Sequence, residues 1–233
     1  YVMPKADKKD AAPVQTADGT SVQLRETLMS PLPVTGLPIA VTAAPFNAAP
    51  GRASVLLMLQ TPPGAVQFVD QGGRFDGNLE LSFVAVDELG TTTGGEHVDL
   101  TMPLKPDLHK LVNGAGLLVE SRVSLPPGRY SLRVAARDVN AGRVGSIRCD
   151  LEVPDYAKLP LSMSGVVIAS AQSMAANPRP DRERARLLGD TPSVLRDFHQ
   201  GDDLSVLVEV YDTKMATPHS LDIAATVMDE RRQ

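Results

Sequence analysis

The sequence runs to 233 residues, enough for one or two domains with a real core, and its 42 % hydrophobic and 22 % charged content excludes global disorder. A net charge of −5 supplies no global basic field, and no apolar run approaches the roughly 20 residues of a membrane helix. Neither a nucleic-acid partner nor a membrane-spanning segment is therefore expected.

Aromatics are scarce at 4 % and Trp is absent, so the core must be built from Val, Leu, Ile, Ala and Met. Cys149 is the single cysteine, which excludes an intrachain disulfide. The chain opens at Tyr1 rather than Met. That suggests a piece or processed product of a longer chain, with any signal peptide upstream.

Residues 1–36 read as an N-terminal arm, polar at first, with a short helix over Val22 to Met29 closed by Pro31 and Pro33. From Leu37 the hydrophobic period becomes two. Leu37, Ile39, Val41 and Ala43 alternate with smaller or more polar neighbours. Ala53 to Gln60 is apolar on both faces, since Leu56 and Met58 lie opposite Val55, Leu57 and Leu59, so this strand must be central or lie beneath a covering segment. Leu79, Leu81, Phe83 and Ala85 form a third strand. The stretch Gly90 to Gly95 reads as a loop, and the glycine pairs 72–73 and 94–95 read as hairpin glycines. Strands follow over Val98 to Met102 and Leu117 to Val123.

The clearest pattern comes next. Tyr130, Leu132, Val134 and Ala136 point one way while Ser131, Arg133 and Arg137 point the other. A turn at Asn140 to Gly142 leads into Ile147, Cys149, Leu151 and Val153, which makes a hairpin. About seven antiparallel strands with no crossover helix predict an all-β fold, an immunoglobulin or fibronectin III-like sandwich over residues 37–156. Residues 157–233 form a smaller, incomplete β-region. It has a strand over Met163 to Ser170, a loop or linker at 171–194 with a turn of helix over Asp181 to Leu188, and alternating runs at Leu204 to Val210 and Leu221 to Val227. So few strands are marginal alone. This part must pack on the sandwich, pair with another chain, or be a second sandwich cut short.

Two resemblances enter here. Leu125-Pro-Pro-Gly-Arg-Tyr130-Ser-Leu-Arg-Val134 resembles the tyrosine-corner entry to the sixth strand of fibronectin type III sandwiches. More broadly, Tyr1-Val-Met-Pro4, Ser30-Pro-Leu-Pro33, Gly36 to Phe46, Pro126 to Tyr130, Gly145-Ser146, Leu151 to Asp155 and Phe198 to Tyr211 are similar to the C-terminal region of bacterial von Willebrand factor A-related proteins. That family's Asp-x-Ser-x-Ser metal motif occurs nowhere in the chain, so its cation site does not carry over. The resemblance implies a secreted or cell-envelope protein.

The usual anchors of metal catalysis, phosphate binding and serine hydrolysis are missing, so no catalytic, cofactor-binding or metal residues are assigned and no cofactor is expected. His97 and Asp99, two apart on a strand, can share a ligand, although a solvated strand face is the plainer reading. His109, His199 and His219 sit in loop-like contexts. Asp202 and Asp203, with Asp212, can bind calcium if their oxygens converge; a turn is simpler. Arg179, Arg182, Arg184 and Arg186, interleaved with Asp181 and Glu183, read as a solvated linker. Cys149 reads as a small core residue.

These observations lead to a non-catalytic structural or protein-interaction module. It acts through loops or sheet edges, with self-association if the arm or last strand completes a neighbour's sheet. The alternative is a carbohydrate-binding or accessory domain of a larger extracellular enzyme. A third reading, a hydrolase, needs a pocket joining His97, Asp99 and a serine.

Overall fold

The computed structural model describes residues 20–171, 175–178, 180–196, 198–213 and 220–226. Helix α1 (Val22–Met29) is followed by β1 (Ala40–Asn47), β2 (Ala53–Thr61), β3 (Phe68–Asp70), β4 (Phe75–Asp87) and β5 (Thr92–Leu104). Helix α2 (Pro106–Ala115) crosses to β6 (Leu117–Leu125), and β7 (Gly128–Asp138) and β8 (Arg143–Val153) form the expected hairpin. The remaining elements are β9 (Leu161–Met163), β10 (Val167–Ser170), α3 (Arg182–Leu188), β11 (Leu204–Leu207) and β12 (Val210–Asp212).

Two antiparallel sheets make the sandwich. One is ordered β1-β2-β6; the other runs β5-β4-β7-β8, with short β3 pairing the start of β4. Between them lie Val55, Leu57 and Leu59 of β2, Leu79, Leu81 and Phe83 of β4, and Tyr130, Leu132, Val134 and Ala136 of β7, all buried in one cluster. The alternation therefore reads as predicted, because a period of two places every second side chain on the same face. The Tyr130 hydroxyl donates to the Pro126 carbonyl at 2.8 Å, closing the tyrosine corner.

One outer face is covered throughout its centre and the other in part. Leu56 and Met58 of β2 join Ala44, Phe46 and Leu118 in a second buried cluster, capped by Val167, Ala169, Ala175, Leu188 and Val194. This explains why β2 is apolar on both sides: Val167, Ala169, Ala175, Leu188 and Val194 roof the three-stranded sheet. The roof is also hydrogen-bonded down, since Gln60 Oε1 accepts from the Val194 and Leu195 amides and Leu118 donates its amide to Ala176.

The opposite face is covered in part by α1, whose Leu24 and Leu28 bury against Ala135 and Val144. Residues 34–37 then run along the β8 edge, with the Leu37 amide donating to Val144 and the Ser146 amide to Val34. Residues 20–36 thus belong to the packed structure rather than to a loose arm. Their apolar content is too sparse to show this as a pattern.

Four further expectations need correction. The Gly90–Gly95 loop is shorter, because β5 begins at Thr92 and carries both glycines inside the strand. A methyl on Gly94 would come within 2.9 Å of Leu125, and one on Gly95 within 2.6 Å of the Phe83 carbonyl, so crowding selects glycine there. Helix α2 and β3 were not anticipated. The single runs expected over Met163–Ser170 and Leu204–Val210 are both broken, the first between β9 and β10 and the second into β11 and β12. Leu221 to Thr226 form no strand despite their alternation, and Val227 lies outside the described residues.

Candidate functional site

The sheet ladder assembles a row of charged groups on the outer face of the five-stranded sheet. Asp99 of β5 pairs with Glu80 of β4, which pairs with Arg137 of β7. His97 lies two residues before Asp99 on the same face, opposite Ser82. Glu80 is buried: one carboxylate oxygen accepts the Ser21 amide at 2.6 Å and the other the Ser21 hydroxyl at 2.7 Å, while Arg137 stands 3.4 Å away. Ser21 also caps α1 by accepting from the Leu24 amide. The start of α1 therefore orients a carboxylate on the sheet beneath it.

His97 departs from the expected solvated face. Its side chain is only 13 % exposed and Nε2 is 3.4 Å from Asp99 Oδ2, yet both ring nitrogens are shut off from solvent and make no hydrogen bond among the described residues. The serine opposite is committed elsewhere, since Ser82 Oγ donates to the Glu96 carbonyl. No nucleophile–base pair joins His97 among the described residues.

A groove of about 550 Å³ runs between β5 and β6, lined in part by Leu56, His97, Val119, Pro178 and Arg184. An ion-pair chain lies in its wall. Arg184 donates to Glu120 at 3.1 Å and to Asp181 at 2.8 Å, and Arg122 donates to Asp181 at 2.6 Å. Asp181 also caps α3 by accepting the Arg184 amide at 3.0 Å. That bond, with the neighbouring guanidinium groups of Arg122 and Arg184, holds the Asp181 carboxyl below its usual range despite partial desolvation. Within the arginine-rich linker, Arg182 and Arg186 are solvated as expected. Arg184 instead is buried against β6, and Arg179 lies outside the described residues.

The other candidates separate. His109 is on α2, not a loop, stacked on Phe75 at 3.9 Å with Phe68 edge-on at 5.1 Å. His199 is exposed, 3.9 Å from Asp202, whose carboxylate accepts the His199 amide at 2.7 Å to form a turn. Asp202, Asp203 and Asp212 form no three-ligand cluster among the described residues. Cys149 is half-buried against the core, with burial and then Asp150 pushing its thiol upward. His219 lies outside the described residues.

Beta strands 9–12 form an antiparallel ribbon whose register slips by one between its halves. Its inner side, Val167, Ala169 and Leu207, meets the second cluster. Leu161, Met163, Val166, Leu204 and Val206 remain exposed, Met163 at 60 % and Val206 at 62 %. Nothing in the sequence alone distinguished this surface from an ordinary buried strand, because alternation marks one apolar face without saying what covers it.

No known family model matches the chain, and no curated protein matches it. Among solved structures, a β-glucuronidase from glycoside hydrolase family 2 is similar over 53 % of this chain and 11 % of its own, at 11 % identity and a TM-score of 0.36. A putative β-galactosidase from Bacteroides fragilis is similar over 49 % of this chain and 16 % of its own, at 11 % identity and a TM-score of 0.33. The chain thus spans well under a fifth of either.

Proposed function

We propose that the chain is a non-catalytic protein-interaction module of a secreted or cell-envelope bacterial protein, the compartment its sequence resemblance implies. The observation that carries this reading is the exposed apolar side of the β9–β12 ribbon, where five large aliphatic residues stand in solvent beside a two-stranded sheet. Such a surface gains free energy when another protein covers it, at about 25 cal/mol per Å² of apolar area removed from water. The ribbon is also narrow enough to accept a further strand through its backbone groups.

Sedimentation velocity over a hundredfold concentration range tests the self-associating form. The chain forms a larger species with rising concentration, and Met163→Lys combined with Val206→Lys abolishes it without lowering the unfolding midpoint. A wild-type chain that remains monomeric throughout removes self-association.

A further inference from the structure

Glu80, His97 and Asp99 offer one ligand atom each, and these atoms lie within 4.8 Å of one another. We infer that this triad binds a divalent first-row transition ion, Zn²⁺ in the first instance, on the outer face of the five-stranded sheet.

Backbone placement is the first argument. Glu80 and Asp99 are direct cross-strand partners and His97 is two residues from Asp99, so the ladder fixes all three side chains on one face. An ion bound there would join two strands already in register and need little ordering of the backbone.

Distance is the second. In tetrahedral zinc sites with bonds of about 2.1 Å, ligand atoms stand about 3.4 Å apart. His97 Nε2 and Asp99 Oδ2 are 3.4 Å apart. They are spaced as two ligands would be.

The third argument is the orphaned imidazole. Both His97 nitrogens are buried and, among the described residues, make no hydrogen bond. A buried polar atom without a partner is costly, and a metal ion at Nε2 removes that cost at one nitrogen. Ser21 supplies the outer support such sites use: its amide and hydroxyl fix the Glu80 carboxylate by two short hydrogen bonds. Arg137 is the positive group beside Glu80. The ligand set chooses the ion class, because an imidazole with two carboxylates suits zinc and its neighbours, whereas calcium and magnesium take all-oxygen shells.

The test is calorimetric titration of the chelator-treated chain with ZnCl₂, repeated with Co²⁺ as a spectroscopic probe. One saturable ion per chain is expected, and the cobalt form shows the visible bands of a four-coordinate site. Asp99→Asn and His97→Gln each weaken binding by about tenfold or more, and Ser21→Ala by about tenfold through the loosened Glu80. Asp99 is largely exposed, so Asp99→Asn keeps its fold and the same circular dichroism spectrum. His199→Ala leaves binding unchanged. Absence of stoichiometric binding, full binding by the Asp99→Asn and His97→Gln double variant, or loss on His199→Ala would each overturn the assignment.

Discussion

Gly145 lies so close beneath Leu37 that a methyl group on its Cα would collide with the Leu37 carbonyl oxygen. The contact is backbone on backbone, at the place where residues 34–37 run along the β8 edge, so a side chain there cannot rotate away.

Gly145→Ala should therefore push residues 34–37 off β8 or bend the strand. A loss of about 1–3 kcal/mol is expected, as for other overpacked sites. Hydrogen exchange at the Leu37 and Ser146 amides, which donate across this junction, localises the damage. Unchanged protection at both amides would contradict it.

Tyr130→Phe removes the 2.8 Å bond to the Pro126 carbonyl and leaves that oxygen without its tyrosine donor. The expected cost is about 1 kcal/mol in urea unfolding. An unchanged midpoint would mean that the corner contributes only by packing.

Arg184→Ala would remove the guanidinium that pairs with Glu120, whose side chain is 7 % exposed, and leave it the 3.4 Å bond from the Asp181 amide. Breaking a buried pair from one side costs about 3–5 kcal/mol, whereas exchanging both partners for apolar groups is far milder. The single variant should open the roof over Leu56 and Met58, which limited proteolysis within residues 171–196 detects. Arg184→Met with Glu120→Leu should restore resistance.

Acid should act on the same roof through Asp181. Its native carboxyl titrates below the usual range, so its contribution to stability is complete above the unfolded-state pKa of about 4 and is lost as pH falls through the lower native value. Asp181→Asn should flatten this part of the acid-unfolding profile.

At high pH the tyrosines respond. Burial, then its hydrogen bond to Glu209, raises the Tyr211 phenol far above its ordinary range, and burial also raises Tyr156 and Tyr130. The folded chain holds these protons more tightly than the unfolded one. Stability is therefore intact below pH about 10 and declines as pH rises beyond it. Tyr211→Phe should show a shallower decline in thermal midpoint through the same range.

The sandwich was legible because exposure to water on one side writes itself as alternation. Tyr130 to Ala136 and Leu79 to Ala85 needed no tertiary information. Helix α1 was legible from its length and the following prolines. Helix α2 was not anticipated although it carries the signals of one: Pro106 in its first turn, Leu108, Leu111, Val112 and Ala115 at helical spacing, and Gly116 at its end. The charged cluster was half legible. His97 and Asp99 are neighbours by spacing, but Glu80 joins them only through the β4–β5 register, and the occlusion of the imidazole depends on the folded environment. Arg184 likewise looked like one of several arginines until the roof folded onto β6.

The double-sided character of β2 has a practical consequence for anyone dividing this chain. Cutting after Tyr156 keeps every strand of the two main sheets but strips Leu56, Met58 and Leu118 of their cover. A cassette of that length would carry a bare oily flank and precipitate, so a transplantable unit must retain the chain through at least Leu207.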